Sequence, residues 1–204
     1  MVAMICDPLL EEQLIARRQE TGADRYDEVW EGMYVMTPMP NNEHQDLVGQ
    51  LTTILEVVVG WQALGRVFPG VNVSDRKADW QSNFRCPDIA VFLNDTRAEN
   101  CDTFWYGGPD FAVEVISPSD RSREKLTFYA AINTRELLLI DRDPWGLELY
   151  RLDEGVLQLA GRSSVESPEP LAGRTVPLSF NLSPGKPRPQ IEVRHDDGQQ
   201  SWTI

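Results

Sequence analysis

Lysine is scarce in this sequence. Only Lys77, Lys125 and Lys186 occur among 204 residues, and the formal net charge is −13. Nucleic-acid backbones are gripped through Lys and Arg with release of counterions, so a globally acidic chain repels them at long range. A nucleic-acid partner then requires a local basic patch or a bound divalent cation that reverses the field near a site. Cysteine is also sparse: Cys6, Cys86 and Cys101 are odd in number and scattered. That pattern supplies neither a disulfide framework nor a paired zinc spacing, and it predicts reduced, structural thiols. Long apolar runs are missing too. The stretch Leu137 to Ile140 is far shorter than the roughly 20 residues that a bilayer-crossing helix needs. The apolar start, Met1 to Cys6, has no basic leader and runs into Asp7 and Glu11, which argues against a secretory signal and predicts a cytoplasmic location. There are no internal repeats and no low-complexity blocks.

What remains is ordinary for a soluble domain: 41% hydrophobic and 25% charged residues, in a length suited to one core. Asp7 before Pro8 reads as a capping acid with proline in the first turn. Leu9, Leu10, Leu14 and Ile15 predict an amphipathic helix from Pro8 to Arg18, stopped by Gly22. Tyr26 to Thr37 reads as a hairpin turning at Glu31-Gly32. Asn41 and Asn42 are candidate caps for a helix to about Val59, with His44, Leu47, Val48, Leu51, Ile54, Leu55 and Val58 on one face and Gly60 as its stop. Strands near Gly65–Val73 and Cys86–Leu93 form a second hairpin with a long connection.

Phe111 to Ile116 is an apolar strand broken by Glu114. A helix from about Arg121 to Ile132 then leads to Glu136–Asp141, a buried strand. Strand, helix, strand at this spacing predicts a right-handed crossover with parallel strands. Leu147–Leu152 and Val156–Ala160 form another hairpin. Pro, Ser and Gly become frequent after about Ser163. The expected organisation is therefore an α/β domain over residues 1–162, followed by a loop-rich extension over 163–204 with short strands, one of them near Gln190–Arg194.

Two acids sit where burial is expected. Asp88 opens the strand Asp88–Leu93, and Glu114 interrupts Phe111–Ile116. An ionised carboxylate in an apolar strand costs several kcal/mol unless it is paired or bound to metal. On neighbouring strands the two could share Mg²⁺, which takes one or two carboxylates and retains water. Lys125 follows on the next helix, and its ammonium could position water or stabilise charge on phosphate. Each residue also has an ordinary alternative. Asp88 could bond backbone at a strand end, Glu114 could pair with Arg121 or Arg123, and Lys125 could lie solvated on its helix.

The order of these residues resembles a known family. Pro87-Asp88, then Glu114-Val115-Ile116-Ser117-Pro118-Ser119, then Arg123-Glu124-Lys125-Leu126 and Tyr129-Ala130 is similar to the Uma2 family, within the PD-(D/E)XK nuclease superfamily. The resemblance runs from about Tyr26 to Leu152. It includes Asp27-Glu28-Val29-Trp30-Glu31-Gly32, Glu43-His44, Gly65-Arg66-Val67-Phe68 and Leu137–Asp141 before Glu148-Leu149-Tyr150-Arg151. It implies a restriction-endonuclease-like core, a mixed central β-sheet flanked by helices, and Mg²⁺-dependent hydrolysis of DNA phosphodiesters, with Mn²⁺ as a substitute.

Carried over by position, Asp88 and Glu114 are the expected metal ligands and Lys125 the catalytic lysine. In the general superfamily pattern the lysine stands two residues after the acid. Ile116 occupies that place here, so the amine must come from the following helix. His44, Glu31 and Glu124 are candidates to line the same cleft. The resemblance and the many aromatic residues also lead us to expect a homodimer. The competing expectation is a catalytically inactive module that keeps the scaffold and binds a protein or nucleic-acid partner, which the acidic charge and the displaced lysine favour.

Overall fold

The structure, a computed structural model, describes residues 8–116 and 121–204. Cys6, the capping Asp7 and the segment Ser117-Pro118-Ser119 lie outside the described residues.

The first helix, α1 (Pro8–Thr21), ends at Gly22, whose φ of +68° suits a residue without Cβ. The apolar stripe that the sequence suggests docks only in part, since Leu14 and Ile15 are half-buried while Leu9 and Leu10 are exposed. Arg18 holds it instead. The guanidinium forks onto Asp27 at 2.5 and 2.6 Å and reaches the carbonyls of Ala23 and Thr37.

The hairpin of β1 (Glu28–Trp30) and β2 (Met33–Val35) turns where expected, since Glu31 and Gly32 both take positive φ. The Asn41 side chain caps α2 (Asn42–Leu55) by accepting from the His44 backbone N–H at 2.9 Å. A π-helical turn, Glu56–Gly60, extends that helix.

Seven strands follow: β3 (Gly65–Pro69), β4 (Val73–Ser74), β5 (Phe84–Arg85), β6 (Ile89–Leu93), β7 (Glu99–Asn100), β8 (Trp105–Tyr106) and β9 (Phe111–Val115). A 3-10 turn, Ser122–Lys125, leads into α3 (Leu126–Ala131). Then come β10 (Glu136–Arg142), β11 (Trp145–Asp153) and β12 (Val156–Ser163).

The central sheet has the order β12-β11-β10-β9-β6-β3 and is antiparallel except between β9 and β10. That parallel pair is joined through α3, as strand–helix–strand spacing requires. Both sheet faces are covered, which explains the unbroken apolar run Leu137–Ile140. On one face Ile89, Val91, Val113 and Leu138 meet α2 through Leu47, Leu51 and Leu55. On the other, Phe92, Ala112, Leu137 and Leu139 meet α3 through Phe128 and Tyr129. A second sheet of short strands, β2-β1-β5-β4-β8-β7, places β1 beside the segment that leads into β6.

The segment expected to be loop-rich is more ordered than its composition suggests. After residue 163 it forms β13 (Leu171–Ala172), β14 (Leu178–Ser183), β15 (Gln190–His195) and β16 (Ser201–Thr203), an antiparallel sheet. Leu178, Phe180, Leu182, Ile191 and Val193 join the α2-side core, and Phe180 stacks on Phe111 with centroids 5.8 Å apart. Buried Glu136 ties this segment down by accepting from the backbone N–H groups of Arg174 and Thr175 and from the Thr175 hydroxyl. The restriction-endonuclease-like architecture, a mixed sheet flanked by helices, is the fold of this chain. Among the described residues no helix is long and apolar enough to cross a membrane.

Candidate active site

Strand register decides where the acids point. Ile89 pairs with Val113 across the antiparallel β6–β9 ladder. Asp88 lies at the bend just before that ladder, close enough for its charge to act on Glu114. Asp88 is fixed at both oxygens. Its Oδ2 accepts the Val115 backbone N–H at 2.7 Å, and its Oδ1 lies 3.2 Å from His44 Nε2. His44 owes its place to the Asn41 cap, which sets the first turn of α2. With Nε2 directed at Asp88, the buried Nδ1 has no hydrogen-bond partner among the described residues.

Glu114 is buried in β9, on the α3 side of the sheet. Tyr129 donates its hydroxyl proton to Glu114 Oε1 at 2.5 Å. Lys125 Nζ sits 3.1 Å from each Glu114 oxygen. Burial pushes the Glu114 carboxyl up to about 8; Lys125 opposes the rise, the charges of Asp88 and Glu28 add to it, and the Tyr129 bond opposes it. Burial likewise drives the Tyr129 hydroxyl and the neighbouring Cys86 thiol well above their ordinary ranges.

The structure thus brings together Asp88, Glu114, Lys125 and His44. Lys125 lies at the end of the 3-10 turn rather than one turn into a helix, and its four-carbon stem spans the gap to β9. Glu114 is paired with this lysine and not with Arg121 or Arg123. Those arginines are engaged elsewhere, Arg121 with Glu124 and Arg123 with Asp141 and Glu148.

Two cleft candidates stand apart from the cluster. Glu31 projects from the hairpin turn to the surface, where Asn83 donates to it at 2.8 Å. Glu124 is exposed beside Arg121.

One member was not singled out in the sequence. Glu28, buried at the start of β1, accepts from Lys125 Nζ at 2.8 Å, from the Cys86 backbone N–H at 2.9 Å and from the Trp30 indole N–H at 2.6 Å. The available signal was period-two alternation, which puts Glu28 and Trp30 on one face of the first hairpin strand. Trp30 itself belongs to a column. Its ring lies 4.5 Å from the Arg85 guanidinium and 4.7 Å from that of Arg121, and Arg85 lies 4.1 Å from the Phe128 ring. Among the described residues, no three His, Cys, Asp or Glu side chains are grouped to hold a metal ion. The cluster offers a carboxylate pair rather than a cage.

No curated protein matches the chain. Among solved structures it is similar to a crystal structure from Anabaena variabilis described as a putative nuclease belonging to DUF820. The two share 21% identity with a TM-score of 0.53, over 65% of this chain and 75% of that one. At that identity the likeness is one of fold. The profile of the family described as "Putative restriction endonuclease", Uma2, matches residues 11–184. Across most of its length, then, this chain carries the sequence pattern of that group, and it belongs to the Uma2 family.

Proposed function

We propose that this protein is a divalent-cation-dependent endonuclease that hydrolyses DNA phosphodiester bonds. The carrying observation is Glu114, a buried carboxylate facing a lysine ammonium at 3.1 Å, with Asp88 bonded to the backbone N–H of the next residue, Val115, at 2.7 Å. Its donor chemistry fits Mg²⁺ or Mn²⁺, because hard cations take one or two carboxylates and keep the rest of their shell as water. Asp88 and Glu114 would hold the ion. When bound, such a cation supplies a water of lowered pKa and offsets charge on the phosphate.

The remaining work falls to the chain. Val115 N–H and His44 fix the Asp88 carboxylate. Tyr129 fixes Glu114. Lys125 presents a positive charge where an attacked phosphate gains negative charge. In the reaction a water oxygen bonds to phosphorus, one P–O ester bond breaks, and the departing oxygen takes a proton.

Family membership and the cluster support this reading. The acidic net charge favours the second one, an inactive scaffold that binds a partner. Supercoiled and single-stranded DNA incubated with Mg²⁺ or Mn²⁺ separates the two. Cleavage by the wild type that vanishes in Glu114→Gln supports catalysis, and no cleavage with either metal or either DNA form supports the binding module. We propose further that the protein acts as a homodimer. Exposed Trp61 and Leu64, close together after α2, offer an apolar contact. A single monomeric species in sedimentation at micromolar concentration would remove that proposal.

A further inference from the structure

Glu28 makes a shorter contact with the Lys125 ammonium, 2.8 Å, than Glu114 does at 3.1 Å. It also has more partners than Glu114. Its Oε1 is tied to the Cys86 backbone and its Oε2 to the Trp30 indole, whose ring has the guanidinium groups of Arg85 and Arg121 over it. Glu114, by contrast, is held among the described residues by the side chains of Lys125 and Tyr129. An ammonium and a divalent cation compete for the same Glu114 oxygens.

We propose that Glu28 is a positioning residue, which retains the Lys125 ammonium beside the site when a divalent cation takes the carboxylate oxygens of Glu114. The proposal rests on the cation-dependent reading above and adds to it the device that keeps lysine and metal ion together. Without the fixed carboxylate at 2.8 Å, the carboxylate left in contact with Lys125 among the described residues is Glu114, where the ammonium opposes the cation. With Glu28 present, the amine keeps an anionic partner throughout.

The test is calorimetric titration of the full chain with Mn²⁺, in wild type, Glu28→Gln and Glu114→Gln, alongside unfolding in EDTA. Wild type is expected to bind one Mn²⁺ and Glu114→Gln none. Glu28→Gln is expected to bind about 10- to 100-fold more weakly, the usual cost of losing a group that orients a ligand. That loss is expected to shrink in a Lys125→Met background, where no amine remains to be held. A merely structural role would alter unfolding and leave Mn²⁺ affinity untouched. Affinity in Glu28→Gln within twofold of wild type, with binding abolished in Glu114→Gln, overturns the role of Glu28 and leaves the nuclease reading standing. No Mn²⁺ bound by wild type overturns both. If Glu28→Gln does not fold, Glu28→Asp, which keeps the charge on a shorter stem, is read against the same limits.

Discussion

Glu114→Gln should make the metal-free protein relatively more stable as pH rises. The substitution keeps side-chain volume and the oxygen that Tyr129 donates to, and it removes the charge that burial, Asp88 and Glu28 make costly once the carboxyl ionises. The Glu114 carboxyl rises from 4.5 to about 8 on folding, mainly because burial disfavours the charged form. Below pH 4.5 it holds its proton in both folded and unfolded chains. Between 4.5 and about 8 only the folded chain keeps the proton, so wild type loses stability through that window. Glutamine has no proton to lose. Each tenfold change in proton affinity is worth about 1.4 kcal/mol, so the rise from 4.5 to about 8 bounds the variant's relative gain at roughly 5 kcal/mol, of which about 4 kcal/mol falls between pH 5 and pH 8.5. Urea unfolding in EDTA at pH 5 and pH 8.5 measures it. Parallel pH profiles, or a variant that loses stability relative to wild type as pH rises, would refute the reasoning and show that the Lys125 pair outweighs the burial of charge.

Other parts of the fold carry their own tests. In the native protein an alkylating reagent at pH 8 should label Cys101, which is partly exposed, and spare Cys86, whose thiol is buried and pushed up; mass spectrometry of the labelled peptides decides. Glu136→Ala should cost about 2–4 kcal/mol by orphaning two backbone N–H groups and leaving the Arg151 guanidinium without its carboxylate, read from the urea midpoint. Phe180→Ala should cost about 3–5 kcal/mol and shift one cooperative transition, because its ring packs on Phe111 of the central sheet. A separate early transition for residues 163–204 would contradict a shared core.

Much of the scaffold was legible wherever a local rule had a single physical solution. Glu31-Gly32 announces a turn because the loop geometry demands positive φ at both positions. Asn41 announces α2 because its side chain replaces a missing helical acceptor. Leu137–Ile140 announces a strand covered on both faces. The C-terminal sheet was harder to read. The alternation Leu178-Ser179-Phe180-Asn181-Leu182 sits among prolines, serines and glycines whose frequency suggests loop.

Within the site, strand position and residue type pointed to Asp88, Glu114 and Lys125, which the fold brings together. Glu28 was hidden because β1 is three residues long, so the alternation that pairs it with Trp30 spans a single period and none of its residues is exposed. Glu31, from the same hairpin, drew attention through its turn, and turn residues project outward. The leucines of α1 were read only in part for a related reason: periodicity shows which residues share a face, while docking by Arg18 leaves Leu9 and Leu10 of that face in water.

The most direct measurement is an anomalous-scattering map from crystals of the full chain soaked in Mn²⁺. The account predicts one peak bridging the Asp88 and Glu114 carboxylates, with Lys125 Nζ drawn onto Glu28. A peak elsewhere on the acidic surface, or none at saturating Mn²⁺, would contradict it.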